Sequence, residues 1–504
     1  MTPIRNTASA LCLAALTAWA APSSAQLPGG IGGGLPGGGL PGIGGLPSMP
    51  AAPRVETPNV PRSGVGLPQG RVSTGAGVRS KALPAAPALP ALDAAAPLIE
   101  GSLALALPVH DGVVEVVGEV AAAATETRQA AARRLLAQHP EVVEADDRGE
   151  PVVRGEILGL GVDAAALRRL RQAGFTVRSR ETLAGLGVET VVLGVPRGAS
   201  AIDALRRLRS LDPAGQYDFN HLYQQSGTVG PQAAAASAPG RTADGRGLRI
   251  GLIDGSVAAG QPALAGSRLV QRAFAAGGAT PTAHATAVAS LIAGDGGGFR
   301  GAAPGATLYV ADVYGQTPTG GSAQTVARAL AWLAEARVPV INISLVGPPN
   351  LLLGAAVRAL VARGHLVVAA VGNDGPAAPP LYPASYPGVV AVTGVDPRRR
   401  VLPEAGRATH VDFAAPGSEM AAASPAGGFV SVRGTSFAAP IAAGRLARRL
   451  PAPDPAGAAR AVAALGREAI DLGAPGPDPV YGRGLVGADV RMALETPPGR
   501  TARK

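Results

Sequence analysis

Beyond about residue 247, short runs of consecutive apolar residues alternate with longer stretches in which apolar residues recur at helical spacing. Strands that are buried on both faces of a parallel sheet have such uninterrupted apolar runs, whereas antiparallel strands usually alternate apolar with polar residues. The runs predict strands at 248–253, 307–313, 338–344, 366–370 and 389–395. The helical stretches are 284–292, 322–336, 351–363 and a long one that begins at about 436. This alternation predicts an α/β fold whose mostly parallel sheet has helices on both faces.

A smaller unit with a different pattern precedes this region, between residues 151 and 224. Two predicted helices begin after the N-cap candidates Asp163 and Ser200. The predicted strands are 152–160, 175–178, 188–195 and 217–223. The order β-α-β-β-α-β is that of a small α+β, ferredoxin-like domain. Residues 98–150 form a helical segment with one helix predicted at 117–138, while residues 224–240 are polar, rich in Ala and expected to be exposed.

The first 97 residues have the composition of a targeting segment and a linker rather than that of a packed domain. A basic residue precedes a short apolar run, and the small residues Ser23 and Ala25 fit a secretory cleavage site after Ala25. The run is shorter than the roughly 20 residues that a membrane helix needs. We therefore expect a signal peptide at 1–25, no membrane span, and a secreted or periplasmic protein. Residues 26–97 are rich in Gly, Pro and Ala and are expected to be disordered, with tethering to a surface or partner as an alternative role.

Composition and charge exclude several classes of site. The only cysteine, Cys12, lies within the predicted signal peptide, so the mature chain has no thiol for a disulfide, a metal site or a nucleophile. The net charge of +10 comes mainly from arginines that are spread along the chain without aromatic clusters, which argues against a nucleic-acid partner. The spacing of the histidines matches no metal-binding motif. Five of them are interpreted as structural or surface residues, namely His110, His139, His221, His365 and His410.

The heptapeptide GTSFAAP at 434–440 places Ser436 at the start of a long apolar helix. Unpaired backbone N–H groups and the positive end of the helix dipole would stabilise an attacking oxygen and a developing oxyanion there. A serine at a helix start is more commonly an N-cap, so capping is the alternative interpretation. Three further side chains favour a catalytic role for Ser436 over capping, because Asp254 and Asn373 each follow a predicted strand and His284 opens a predicted helix. Together they supply the hydroxyl, imidazole, carboxylate and oxyanion donor that attack on an acyl carbonyl requires.

In these residues and their flanking sequences, the chain resembles the subtilisin-like serine peptidases. The matching blocks, in the order of the family, are RIGLIDGSV, HATAVASLIAG, GAAPGATLYVADVYG, VINISLVGP, VVAAVGNDGP, YPASYPGVVAVTGV, GTSFAAPIAAG and DPVYGRGLV. The resemblance implies a serine endopeptidase with Ser436 as nucleophile, His284 as general base and then acid, and Asp254 as its orienting partner. It also implies that Asn373 donates to the oxyanion beside the backbone N–H of the nucleophile, and that the Tyr382–Pro383 bond is cis.

The same resemblance implies how a protein or peptide substrate would bind. Its main chain would add an extended strand between two backbone edges. These edges are Thr319, Gly320 and Gly321 on one side and Ser344, Leu345 and Val346 on the other. The unit at 151–224 resembles a pro-region that acts as intramolecular chaperone and inhibitor, with self-processing by Ser436 within 225–246. The peptidase domain would then span 247–492, followed by a tail at 493–504, and a permanently attached accessory domain is the alternative for the small unit.

Several positions depart from the pattern of the family. Gly255 and Ser256 follow the triad aspartate where the family usually has Ser or Thr and then Gly, and Ala285 and Ala287 replace a Gly and a His beside and near the triad histidine. Val346 replaces a glycine at the substrate edge and is expected to narrow the cleft or shift a peptide. Because all four chemical groups are present, we expect an active enzyme, and a catalytically weak or inactive protein that binds extended peptides is the alternative. Similar proteins often bind calcium, but no dense run of Asp is visible, so no cofactor or metal site is assigned.

Overall fold

The computed structural model of the chain describes residues 128–233, 245–296 and 299–490. The predicted signal peptide, the Gly/Pro/Ala-rich segment, the first part of the helix predicted at 117–138 and the C-terminal tail lie outside these residues, as does part of the predicted processing region. The described remainder of that helix is helical from Arg128 to Gln138. Within the described ranges, no helix is both long enough and apolar enough to cross a membrane.

The small unit has the predicted order of elements. In chain order these are α1 (Arg128–Gln138), β1 (Val143–Ala145), β2 (Pro151–Leu160), α2 (Ala164–Gln172), β3 (Thr176–Leu183), β4 (Val188–Gly194), α3 (Ala201–Leu211) and β5 (Gln216–His221). The sheet is antiparallel with the order β3-β4-β2-β5, and β1 pairs with the start of β2. Asp163 and Ser200 accept hydrogen bonds from the amides of Ala166 and Asp203, which confirms both predicted N-caps. From β2 to β5, this is the topology of a ferredoxin-like domain.

The chain then passes through two short strands, β6 (Gln224–Gln225) and β7 (Thr228–Ala233), into the large unit. The strands of that unit are β8 (Arg249–Asp254), β9 (Leu269–Ala273), β10 (Asp295–Gly296), β11 (Phe299–Arg300), β12 (Thr307–Asp312), β13 (Val340–Ile343), β14 (Leu345–Val346), β15 (Leu366–Ala370), β16 (Val390–Val395), β17 (Phe413–Pro416), β18 (Met420–Ala423) and β19 (Phe429–Arg433). Its helices are α4 (Ala283–Ala293), α5 (Ala323–Glu335), α6 (Leu351–Ala362), α7 (Thr435–Ala447) and α8 (Pro455–Glu468). The strands and helices predicted for this unit are all present.

The central sheet has the order β17-β16-β15-β13-β8-β12-β9, and every neighbouring pair is parallel. Helices α4 and α7 share one core cluster with strand residues such as Leu252 and Val310. Helices α5 and α6 share another cluster with Ile253 and Ile341. Because successive side chains of a strand point to opposite faces, these clusters are the two sides of the sheet. The predicted α/β fold, with helices on both faces of a parallel sheet, is confirmed.

The antiparallel sheet of the small unit is covered on both of its faces. Ile157 and Leu193 belong to the core that this sheet forms with α2 and α3. The neighbouring residues Leu158 and Val192 point the other way and join the cluster of α5 and α6. Apolar burial therefore docks the small unit on two helices of the large unit.

The stretch 224–240, which was expected to be exposed, is partly strand. β6 pairs antiparallel with β14, and β7 pairs antiparallel with β19. Its polar and alanine residues give no apolar alternation, so the sequence does not signal that its backbone is paired. Residues 224–230 are buried or half-buried, so the prediction of an exposed segment is wrong for them, whereas Pro231 is exposed as predicted.

Candidate active site

Asp254 and His284 lie beside each other at the carboxyl end of the central sheet. Asp254 is the last residue of β8, and His284 is the second residue of α4, which Thr282 caps. These elements bring Nδ1 of His284 to 2.8 Å from Oδ2 of Asp254, and both side chains are buried. Burial by itself lowers the pKa of His284, but the neighbouring carboxylate offsets this, so that its pKa is raised above the ordinary value. The imidazole is thus oriented by a carboxylate that also stabilises its cation.

Ser436 is the second residue of α7 and not its N-cap, so the capping interpretation is wrong. The N-cap position is taken by Gly434, which has a φ of +133° and makes no side-chain cap bond. The hydroxyl of Ser436 lies 2.7 Å from Oγ of Ser226, and it donates to the carbonyl oxygen of Ser344 over 3.3 Å. A hydroxyl that is not needed for capping at a helix start is suited to act as a nucleophile.

Asn373 lies in the loop after β15 and faces the start of α7. Its Oδ1 accepts a hydrogen bond from the amide of Thr435 over 3.0 Å, which fixes the orientation of the carboxamide. Its Nδ2 is buried and, among the described residues, has no hydrogen-bond partner. A Cβ at Gly434 would lie 2.9 Å from this nitrogen, so only glycine leaves the space beside it open. A buried donor without a partner costs about 1–3 kcal/mol, which an oxyanion formed next to it would recover.

A segment of the chain itself, residues 222–233, runs across these groups. β6 pairs antiparallel with β14, which sets Gln225 opposite Leu345. One residue earlier than β6, the amide of Tyr223 donates to the carbonyl oxygen of Gly321 over 2.8 Å. The segment therefore forms the added strand between the two backbone edges that were predicted to hold a substrate.

Tyr223 is the most deeply buried side chain of this segment, with no exposed surface. Its hydroxyl donates to the carbonyl oxygen of Pro348 over 2.7 Å, and the hydroxyl of Tyr314 donates to the carbonyl oxygen of Tyr223 over 3.2 Å. A Cβ at Gly347 would lie 2.8 Å from the ring of Tyr223. The large unit thus holds a closely fitting pocket for the ring and its hydroxyl.

The peptide bond between Ser226 and Gly227 lies beside His284 and Ser436. The carbonyl oxygen of Ser226 is 3.3 Å from Nε2 of His284, and the Ser226 hydroxyl contacts that of Ser436. Beyond Gly227, β7 pairs with β19, the strand that leads into α7. The chain thus passes His284 and Ser436 with a paired strand on each side.

Three of the six residues predicted to border a substrate contact this segment. The side chains of two others have partners elsewhere, since Ser344 donates its hydroxyl to the carbonyl oxygen of Ser436 over 2.9 Å and the Thr319 hydroxyl contacts a threonine of its own loop. Gly320 packs tightly against the backbone of Tyr314. The three that contact the segment are Gly321, Leu345 and Val346.

Local contacts accommodate most departures from the family pattern. Ser256 donates its hydroxyl to Oδ2 of Asp312 over 2.7 Å, and Ala285 and Ala287 are fully buried in α4. Val346 is fully buried and its backbone still pairs with the segment. Its branched side chain therefore does not prevent extended pairing at this edge.

Helix α1 adds a contact at the rim of the site. Nε of Arg128 donates to Oδ2 of Asp374 over 2.8 Å, and its two terminal nitrogens donate to the carboxylate of Glu150 over 2.5 and 2.9 Å. The Arg128 side chain is 5% exposed and that of Asp374 is 4% exposed. Asp374 directly follows Asn373, so a nearly buried ion pair joins α1 to the loop of the predicted oxyanion donor. Neither Arg128 nor Gln225 belongs to a recognisable motif, so nothing in the sequence identifies these contacts.

Two smaller implications of the resemblance concern a cis bond and calcium. The Tyr382–Pro383 bond is cis, as the resemblance implied. Across 128–233, 245–296 and 299–490, no three His, Cys, Asp or Glu side chains are grouped so that they could hold a metal ion. Calcium therefore stays an expectation from the resemblance alone, with no residue assigned to it.

The large unit is similar in sequence to the proteins of one known family. A model of the subtilase family matches residues 245–484. The chain is 32% identical to thermitase of Thermoactinomyces vulgaris over 235 residues, which cover 45% of this chain and 84% of thermitase. It is 36% identical to subtilisin Savinase of Lederbergia lenta over 167 residues, which cover 32% of this chain and 61% of that protein.

Among solved structures, the fold is similar to that of fervidolysin from Fervidobacterium pennivorans, which is described as a keratinolytic enzyme related to subtilisin. The TM-score is 0.57 at 21% sequence identity, over 69% of this chain and 62% of fervidolysin. At this identity the likeness concerns the fold alone. Its coverage of this chain is larger than the range matched by the family model.

Proposed function

We propose that Asp254, His284 and Ser436 form the catalytic triad of this chain. The chain belongs to the subtilase family and is a serine endopeptidase. Asn373 and the backbone N–H of Ser436 donate to the oxyanion. The 2.8 Å contact between the imidazole and the carboxylate supports the first assignment. The buried Nδ2 of Asn373, which has no partner among the described residues, supports the second.

The reaction follows from these roles. His284 takes the proton of Ser436 Oγ as this oxygen bonds to the carbonyl carbon of the substrate, and Asp254 stabilises the resulting imidazolium. The carbon–nitrogen bond then breaks, and His284 passes the proton to the leaving amine. Water hydrolyses the acyl-enzyme by the same proton transfers, which frees the serine.

The same chemistry processes the precursor at the Ser226–Gly227 bond. The observation that carries this proposal is the path of residues 222–233, which pair with β14 before the bond and with β19 after it. Extended pairing on both sides of one peptide bond is how an endopeptidase holds a substrate. After the cut, the small unit and the residues up to 226 stay in the cleft as a non-covalent inhibitor.

The contacts at this bond correspond to a precursor held short of reaction. The carbonyl oxygen of Ser226 faces His284 instead of Nδ2 of Asn373, and the Ser436 hydroxyl contacts the hydroxyl of Ser226. For reaction, the carbonyl must turn towards Asn373 and the Ser436 hydroxyl towards His284. The precursor can therefore have low reactivity although every catalytic group is present.

Proteins and peptides in extended conformation are the proposed substrates, since main-chain pairing provides affinity that does not depend on sequence. The basic residue, apolar run and small residues within 1–25 support export to the periplasm or the medium before processing. Activity then appears only outside the cytoplasm, where the inhibitor is released.

Expression of the full-length precursor with and without Ser436→Ala tests these assignments. The wild-type chain should yield a shorter form whose N-terminal residue is Gly227 and which degrades casein. The variant should keep the length of the precursor apart from its signal peptide, because loss of the nucleophile lowers turnover by about 10⁶-fold. Gel electrophoresis and N-terminal sequencing give both results.

A trace of active wild-type enzyme added to the Ser436→Ala precursor is the matched control, because a folded precursor should then be cut in trans at the same bond. Processing of the variant on its own at the wild-type rate would contradict self-processing. Equal failure of both forms to degrade casein would favour a protein that only binds peptides. A mature N terminus elsewhere would contradict the Ser226–Gly227 assignment and leave the triad standing.

A further inference from the structure

The catalytic carboxylate of Asp254 is bonded by the segment that lies in the cleft. Oδ2 of Asp254 contacts His284, and Oδ1 accepts one hydrogen bond from the amide of Gly255 over 2.7 Å. Oδ1 also accepts a hydrogen bond from Nε2 of Gln225 over 2.6 Å. The Asp254 side chain has no exposed surface. A side chain of the captured segment therefore completes the hydrogen bonding of a buried catalytic group.

Because residue 255 is glycine, Oδ1 of Asp254 receives no hydroxyl from the residue that follows it. The family usually has Ser or Thr here, and a hydroxyl so close could itself donate to the aspartate. A Cβ at Gly255 would lie 2.7 Å from Cγ2 and 2.8 Å from Oγ1 of Thr282. Thr282 in turn caps α4 by accepting a hydrogen bond from the amide of Ala285 over 3.1 Å. The threonine cap on the helix of the triad histidine thus excludes a side chain at residue 255.

We propose that Asp254, besides orienting His284, selects glutamine as the second residue before the scissile bond of a substrate. This inference rests on the proposed function, in which Gln225 is the second residue before the cut at Ser226–Gly227. Backbone pairing fixes Gln225 opposite Leu345. A substrate that pairs with β14 in the same register presents its second side chain to the same oxygen of Asp254.

The chemistry of the contact predicts which residues are accepted there. Glutamine has the reach and an N–H donor. Glutamate has the same length but brings a second carboxylate against a buried one, and like charges at such a distance repel strongly. Methionine has a similar volume but no donor, so the buried oxygen loses a partner when the substrate closes over it. We expect a loss of about 10-fold for methionine and about 100-fold or more for glutamate.

The neighbouring glutamine provides an internal control. Gln224 pairs with Val346 through its backbone, and its side-chain Oε1 is buried with no hydrogen-bond partner in the part of the chain that the structure describes. Because Oε1 of Gln224 makes no hydrogen bond there, replacing Gln224 loses none at this atom. Gln224 and Gln225 are therefore matched in type and differ in their contact with the triad.

The test uses the mature wild-type enzyme and the end-blocked octapeptide YQQSGTVG, which copies residues 223–230. Two further peptides carry Met or Glu in place of the second residue before the cut, and one control carries Met at the third. Chromatographic assays give kcat/KM for cleavage between Ser and Gly. We expect the order Gln, Met, Glu at the second position, with losses of about 10-fold and 100-fold, and a difference of less than about threefold for Met at the third.

The outcomes separate this inference from the function on which it rests. Equal rates for all second-position peptides, in an enzyme that cleaves them between Ser and Gly, overturn the selection of glutamine and leave the endopeptidase assignment intact. Equal losses at the second and third positions also overturn it, because Asp254 contacts only the second. If no peptide is cleaved and casein is not degraded either, the proposed function fails and this inference fails with it.

Discussion

The two flanks of the Ser226–Gly227 bond lie in one cleft but are held by different means. Before the bond, Tyr223 is fully buried and Gln225 donates to the carboxylate of Asp254, so side chains as well as backbone engage the large unit. After the bond, β7 pairs with β19 through the backbone with an irregular register, and Val229 is only partly buried. The first flank is recognised by its side chains, whereas the second is mainly guided by its backbone.

This difference fits what happens to each flank after a cut. In the proposed processing, the flank before the bond leaves with the small unit, so its contacts would determine how tightly the inhibitor is retained. The flank after the bond becomes the N terminus of the peptidase and needs only to be led past Ser436. Changes before the bond should therefore alter inhibition, and changes after it should alter only the rate of cutting.

Substitution of Asn373 tests the cutting of the bond separately from the binding of the two flanks. Asn373→Ala should slow processing by about 10²- to 10³-fold, a range measured for loss of an oxyanion donor in this family. Inhibition should be unchanged, because Nδ2 of Asn373 forms no hydrogen bond with either flank in the described structure. Time courses on gels give the rate. Asn373→Asp keeps the acceptor for Thr435 but removes the donor, so normal processing of this variant would contradict the oxyanion role.

Tyr223 tests the flank before the bond. Burial of its ring contributes about 1.5–3 kcal/mol and its hydrogen bond about 1 kcal/mol, so Tyr223→Ala should weaken the cleaved inhibitor about 100-fold. Diluting the processed complex and recording the concentration at which peptidase activity recovers by half measures this affinity. Tyr223→Phe removes only the hydroxyl that donates to Pro348 and should cost about fivefold.

Val229→Ala is the control on the other flank. Because Val229 stays with the peptidase after the cut, this variant should recover activity at the wild-type concentration. A shift as large as that of Tyr223→Ala would mean that the two flanks are not distinct in function. An unchanged midpoint for both variants would place the affinity of the inhibitor wholly in the docking of the small unit on α5 and α6.

The sequence predicted the parallel sheet well because buried strands have unbroken apolar runs. β15 has its predicted bounds, and the predicted β8 is shifted by one residue. The strands β9 and β19 were not predicted, although the FVSVR of β19 alternates apolar with polar residues. The strands β17 and β18 and the helix α8 were not predicted because alanine-rich segments such as Met420–Ala423 favour neither period. Alanine is small enough to be buried or exposed, so the pattern alone does not locate these elements.

For the site, the sequence predicted the chemical groups but not the local structure around them. Asp254, His284, Asn373 and Ser436 stand in recognisable motifs, and the structure brings the regions that carry them together. The motif did not show that Ser436 lies inside α7 rather than at its N-cap, because the cap depends on the backbone of Gly434. The contacts of residues 222–233 join side chains that are between 29 and 210 positions apart in the sequence, so they follow from the tertiary fold and from no local pattern.

Arg128 offers a smaller expected effect than Tyr223→Ala and extends the comparison beyond the cleft. It belongs to the piece that leaves, and its ion pair with Asp374 is nearly buried. Hydrogen bonds to charged groups contribute about 1.5–3 kcal/mol, but desolvation of the pair offsets much of this. Arg128→Ala should therefore weaken the inhibitor by about fivefold to tenfold, measured by the same dilution assay. Arg133→Ala, an exposed change on the same helix, should have no effect.

A double-mutant cycle decides whether the ion pair itself carries this effect. Asp374→Asn should weaken the inhibitor by a similar factor, and combining it with Arg128→Ala should add little, because each change removes the same contact. Peptide turnover by the released peptidase must be measured alongside, since Asp374 directly follows Asn373. Fully additive losses would show that Arg128 acts through Glu150 alone, and α1 would then stabilise the small unit without holding it at the active site.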